Sequence, residues 1–154
     1  MTDEQTALSR RAVACKGWRW LPGMRTLDAM RVIHDPDRWP DRPCAIREGT
    51  WIDTALPRPL GDDLPDLTDP ATVGCLLALV REAWGQPEMC CWRSIAPGWG
   101  VYLALVREAW GQDDLGAFCY RERWCVEVTP QEGLNYVYGA SEAEALVAAL
   151  EAAP

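Results

Sequence analysis

Lysine, histidine and phenylalanine are nearly missing from this chain of 154 residues, with one occurrence of each. The single lysine, Lys16, stands beside fourteen arginines, and acidic residues outnumber basic ones by 23 to 15, which gives a net charge of −8. Nucleic-acid binding through phosphate neutralisation requires clustered lysine and arginine side chains. We therefore expect no direct contact with nucleic acid and, instead, a partner protein that presents a basic surface.

Long apolar runs are missing as well. No stretch approaches the roughly 20 residues that a membrane-spanning helix needs, and no apolar signal-peptide core follows the N-terminus. Hydrophobic residues nevertheless make up 49% of the chain, which is typical of a globular protein with a real core. The sequence thus predicts a globular protein of the cytoplasm with no membrane contact.

Signatures of catalysis and metal binding are sparse. The only histidine, His34, lies beside Asp35, which could orient it as a general base, but no nucleophile motif such as G-x-S-x-G accompanies it. The seven cysteines are irregularly spaced and include no C-x-x-C pair, a spacing that zinc sites favour. We predict that the protein is not an enzyme and holds no metal and no cofactor. A pocket for a small ligand stays open as an alternative, since such pockets need no motif.

The most conspicuous feature is a repeat of ten residues, LALVREAWGQ, which occurs without a mismatch at residues 77–86 (the first copy) and 103–112 (the second copy). Two copies are too few for a solenoid, which needs about three or more stacked units. We therefore predict a single domain over residues 1–154, in which one core helix is duplicated and residues 87–112 form an insertion.

The first copy carries strong helix signals. Asp69 and Pro70 suit the N-cap and the first helical position, and Gly85 suits the C-terminal end. Apolar residues recur at helical spacing between them, which predicts a buried face. These residues are Val73, Leu76, Leu77, Val80 and Trp84.

The second copy has no such start, because Gly98-Trp99-Gly100 precedes it in place of a cap. Residues 101–106 alternate as a strand would, so a strand stays possible there. We favour a shorter helix ending at Gly111, because identical sequence carries identical intrinsic propensity.

The remaining elements are predicted from caps, turns and alternation. We expect a helix over residues 2–17 with a Thr2–Gln5 capping box, and a final helix capped by Ser141 and Glu144. Short strands are expected at 18–20 and 31–34, a hairpin of 44–47 with 50–53, a strand at 90–95, a strand or tight hairpin at 117–129 and a returning strand at 134–138. Together they predict a small layered α+β domain, in which helices pack on an antiparallel sheet.

Residues 35–69 form a loop region rich in proline and, at its end, in aspartate. Asp69 is expected to act as a helix cap. Asp62, Asp63 and Asp66 either belong to an ordinary solvated loop or form an acidic patch that meets a basic groove on a partner. We select these three residues as the candidate interaction site.

Three segments resemble the phage ABA sandwich domain, a family of small phage proteins. They are Lys16-Gly17-Trp18 after the first helix, the central helix region 69–84, and the passage from the hairpin into the last helix at 138–146. The resemblance spans the chain apart from the second copy and its flanks. It implies a phage or prophage origin and the cytoplasm of a bacterial host, and it brings no catalytic residues with it.

Charge and resemblance together predict a non-enzymatic phage accessory protein that acts by binding. The most concrete form of this hypothesis is an inhibitor of a host defence system, which covers a nucleic-acid-binding surface as anti-CRISPR proteins do. Two alternatives stay open: a binding module for a small nucleotide or signal molecule, and a self-assembling structural protein. In the last case the second copy would hold a homodimer together through Leu103, Val106 and Trp110.

Overall fold

The computed structural model describes residues 2–37, 40, 43–47, 57–85, 101–112, 118–128 and 135–154. Within these residues it contains three helices and two three-stranded antiparallel sheets, which confirms the α+β class. The chain divides into two compact units, Met1–Leu79 and Val80–Pro154. The predicted single domain stays a prediction. In the described part of the chain no helix is both long and apolar enough to cross a membrane.

Helix α1, Asp3–Ala14, begins with the predicted capping box. The Gln5 amide donates to Thr2 Oγ1 at 3.2 Å, and the Thr2 amide donates to Gln5 Oε1 at 2.9 Å. The helix ends three residues earlier than expected, since Cys15 already has extended backbone angles. Its buried side includes Ser9, whose hydroxyl donates to the carbonyl of Pro65 at 2.7 Å and so ties the helix to the loop before α2.

The first unit contains the sheet β1 (Met30–Ile33), β2 (Cys44–Arg47) and β3 (Arg58–Pro59), with β2 in the middle. A hairpin turn brings residues 23–26 alongside β1, where the Gly23 amide donates to the Val32 carbonyl at 2.8 Å. Ala29 completes this turn in the left-handed region, at a φ of 61°. Residues 50–53, the partner predicted for β2, lie outside the described residues.

The short strand predicted at residues 18–20 is not formed. Trp18 and Trp20 pack edge to face instead, with ring centroids 5.6 Å apart. Contact between the two rings therefore replaces strand pairing in this segment.

Helix α2, Pro70–Ala83, contains the first copy as far as Ala83. Gly85 follows with a φ of 72°, which confirms its predicted place at the C-terminal end of the helix. Leu76, Leu79 and Val80 are essentially inaccessible to solvent. Leu79 was not part of the predicted apolar face.

The second unit contains the sheet β4 (Val101–Gln112), β5 (Phe118–Val128) and β6 (Asn135–Gly139), with β5 in the middle. The whole second copy lies in β4, so the prediction of a duplicated helix is wrong. The reason is the neighbouring strand: β5 pairs along the full length of β4, with one irregularity between Ala109 and Gly111. Helix propensity is a weak preference, and tertiary pairing overrides it.

Helix α3, Glu142–Glu151, packs on β5 and β6. The hydroxyl of Ser141 accepts from the Glu144 amide at 3.1 Å, which confirms the predicted cap, while the Glu144 carboxylate accepts from the amide of Ala140 at 2.7 Å. Gly139 lets β6 approach this helix closely, because a Cβ atom there would lie 2.3 Å from the backbone nitrogen of Ala145. The buried residues of α3 are Ala143, Ala145, Leu146, Val147, Ala149 and Leu150.

Candidate interaction surface

Arg58, on strand β3, organises the acidic loop. Its guanidinium donates to both carboxylate oxygens of Asp63, at 2.6 and 2.7 Å, and to Asp28 Oδ2 at 2.9 Å. The amide of Gly61 also donates to Asp63, at 3.3 Å. A planar guanidinium that binds a carboxylate through two bonds fixes the relative orientation of both groups. Arg58 therefore joins the turn at residue 28 to the loop at residues 61–63.

Asp63 is held in its charged form by this contact. The hydrogen bond from Arg58 is the largest influence and lowers the pKa of Asp63, against burial, which would raise it. The same bond to Asp63 raises the pKa of Arg58 above its ordinary value. The charge of Asp63 is thus balanced inside the loop, and its predicted contact with a partner stays a prediction.

Asp66 shapes the next turn of the loop. Its Oδ1 accepts from the amide and the hydroxyl of Thr68, at 3.0 and 2.6 Å. Its Oδ2 lies 4.0 Å from Arg25 Nε, and 18% of its side chain is exposed. Asp66 therefore has a local structural role, in addition to any contact with a partner.

Asp62 differs from Asp63 and Asp66 because it is exposed. Asp28, on the other side of Arg58, has 57% of its side chain exposed. We call Asp28, Arg58, Asp62 and Asp63 the loop face. Sequence reasoning missed Asp28 and Arg58, because a contact between residues 30 positions apart leaves no trace in spacing.

Asp69 caps α2 as predicted, and a partly buried network of hydrogen bonds supports it. Its Oδ2 accepts from the amide and the hydroxyl of Thr72, both at 2.9 Å, and from Arg31 at 3.2 Å. The Thr72 hydroxyl accepts from the amide of Arg25 at 2.8 Å. Burial raises the pKa of Asp69, but the bonds from Thr72 and the charge of Arg31 outweigh it, so the pKa lies below its usual value.

The residues predicted for self-association all lie on β4. Leu103 pairs with Val126 of β5, and Val106 pairs with Arg123. Trp110 falls at the irregularity, where the register skips from Ala109 to Gly111. An extra residue of this kind is a β-bulge. Their part in a homodimer stays a prediction.

A second surface, on β6, was not anticipated. Tyr136 and Tyr138 are 48% and 37% exposed, with ring centroids 6.5 Å apart. The guanidinium carbon of Arg123 lies 5.1 Å from the centre of the Tyr138 ring. The sequence could have predicted this surface, because Tyr136 and Tyr138 alternate with Val137 and so share one face of a strand.

The remaining candidates are the residues considered for catalysis or metal binding. His34 is exposed. Among the described residues no three histidine, cysteine or acidic side chains are grouped as metal ligands would be. Burial, followed by the nearby charge of Asp69, raises the pKa of the Cys75 thiol. Cys90 and Cys91 lie outside the described residues.

The fold and the loop face define a small α+β protein with an acidic, ion-paired loop. Comparison with protein families, curated proteins and solved structures finds no match to this chain. The phage resemblance therefore stays a prediction.

Proposed function

We propose that this protein acts by binding a basic partner protein, with the loop face as the contact. The observation that carries the proposal is the placement of Asp62, an exposed carboxylate next to the Arg58–Asp63 ion pair. A loop that is already held in place by such an ion pair loses little conformational entropy when a partner binds. Asp62 and Asp28 then present negative charge from a fixed backbone.

The net charge of −8 supports the same direction. An acidic protein is drawn towards basic surfaces, and complementary charge speeds association and fixes orientation. Proteins that bind nucleic acid carry basic surfaces. We accordingly propose a phage accessory protein that inhibits a host defence system in the way of an anti-CRISPR protein, by covering the surface that nucleic acid would occupy.

The test is a plaque assay in bacteria that carry an active CRISPR interference system and a phage it targets. Expression of the protein should restore plaques, and Asp62→Lys should abolish the effect. Asp37→Lys is the matched control, because Asp37 is also exposed and the charge change is the same. Neither substitution should alter folding much, since exposed charges contribute little to stability.

Plaque numbers that stay low with the wild-type protein contradict the anti-CRISPR proposal for that system. Equal activity of the Asp62→Lys and Asp37→Lys variants contradicts the role of the loop face. A small molecule retained in native mass spectrometry would favour the ligand-binding alternative instead.

A further inference from the structure

The β4 position has two candidate occupants within the same chain. The second copy supplies all of β4 except its first two residues, Val101 and Tyr102, and so makes most of the pairing with β5. The first copy offers the same ten side chains in the same order, including Gly85 as the counterpart of Gly111 at the bulge. We infer that the first copy can leave α2 and take the place of the second copy against β5, so that the chain has a second, minor arrangement of its sheet.

Connection length explains why the second copy holds the position in the main state. Five residues, 113–117, join the second copy to β5, whereas thirty-one residues, 87–117, separate the first copy from it. The entropic cost of closing a loop rises with its length, so the shorter connection is favoured. Over residues 103–112 the pairing itself does not discriminate, because the two copies are identical there. Val101 and Tyr102, which pair with Val128 and Glu127, lie outside the repeat and add to the advantage of the second copy.

The contacts that keep the first copy helical are separate from this pairing. They are the Asp69 cap, the burial of Leu79 and Val80, and a hydrogen bond of 3.0 Å from Trp84 Nε1 to the carbonyl of Ala149. The burial of Leu79 and Val80 and the bond from Trp84 are lost when the first copy becomes a strand, whereas the Asp69 cap bonds Thr72, before the copy, and is not removed by the exchange. The exchange therefore weakens α2, and loss of the second copy from β4 is the event that drives it.

The first test removes the second copy from the sheet with the double substitution Ala104→Pro and Leu105→Pro. Successive residues of a strand direct their N–H groups to opposite edges, so one of the two prolines removes a donor that faces β5. The matched control is Ala78→Pro with Leu79→Pro, at the equivalent places of the first copy. The readout is hydrogen exchange of the β5 amides that face β4, since those that face β6 are protected independently, together with circular dichroism.

The proposal expects the β5 amides of the Ala104→Pro/Leu105→Pro variant to stay protected while helix content falls, because the first copy moves into the sheet. The control should lose helix content and keep β5 protected through its intact second copy. Loss of β5 protection in the first variant, or its complete unfolding, overturns the proposal, since the first copy then fails to replace the second.

The second test uses the wild-type chain and saturation-transfer NMR on residues 77–85. A minor state in the range of 0.1–10% is detectable in this way. Because the two copies are identical, the minor-state shifts of residues 78–84 should coincide with the main-state shifts of residues 104–110. A minor state with other shifts, or none down to about 0.1%, overturns the proposal.

Discussion

The two copies of LALVREAWGQ have the same composition, the same hydrophobic pattern and the same intrinsic propensities, yet one ends a helix and the other forms a strand. The difference between them must come from outside the ten residues. Local preference is worth fractions of a kcal/mol per residue, and cap, neighbour and pairing partner decide the outcome.

What precedes the first copy is a helix that has already started. Asp69 and Thr72 satisfy the first turn of α2 through partly buried hydrogen bonds, and residues 70–76 add further turns before the copy begins. Starting a helix is the costly step and extending it is favourable, so the first copy only has to continue.

What surrounds the second copy is a sheet. Strand β5 lies beside it, and β5 in turn is held by β6 and α3. No cap precedes the copy in sequence, so the start of a helix would have to be made without help. Pairing with β5 satisfies the backbone groups on that side of the strand without that step.

The largest effect is expected from Gly139→Ala, which disturbs the packing of β6 on α3, the two elements that hold β5 in place beside the second copy. The new Cβ atom would lie 2.3 Å from the backbone of α3, where no side chain can move aside. We expect a loss of about 3 kcal/mol in the free energy of unfolding. Urea denaturation measures it, and Gly61→Ala is the control, since a Cβ atom there meets nothing within 4 Å. Equal stability of the two variants would contradict the close approach of β6 to α3.

A smaller loss is expected from Thr72→Val, which weakens the start of the first copy's helix. The substitution keeps the shape of the side chain but removes the acceptor of the Arg25 amide and a donor to Asp69. An unsatisfied buried group costs about 1–3 kcal/mol. Thr68→Val is the control, because Thr68 is exposed and its loss should cost about 0.5 kcal/mol or less. Amide exchange in α2 should rise in Thr72→Val alone, and an unchanged rate there would show that the network does not hold the helix.

The smallest expected effect is a pH dependence of stability that comes from Asp69, which caps the helix of the first copy. The pKa of Asp69 is lowered in the folded state, so its stabilisation is complete above the unfolded value of about 3.9 and is lost as the pH falls through the folded value. Asp69→Asn should therefore be less stable than wild type near neutral pH, and the two should converge in acid. Denaturation series at several pH values measure this. Parallel curves would mean that the Asp69 charge does not support α2.

Where the signals were local, the sequence sufficed to predict structure. The caps at Thr2, Asp69 and Ser141 depend on residues within four positions of each other, and all three are formed. For the second copy, identical propensity favours a helix and alternation leaves a strand open; its pairing with residues 118–128, which decides between them, is known only from the fold. Only part of the loop face is predictable from the sequence, for the same reason. Asp62 is exposed as expected, whereas the charge of Asp63 is balanced by Arg58, a contact that the sequence does not reveal.

The most direct test of this account is the set of backbone chemical shifts of residues 77–83 and 103–109 in the wild-type protein. Identical sequences have the same random-coil shifts away from their ends, so any difference between the copies reports conformation alone. The account predicts Cα shifts displaced towards helical values throughout the first copy and towards strand values throughout the second. Helical shifts in both copies would contradict it, because capping and pairing would then not decide the conformation of this sequence.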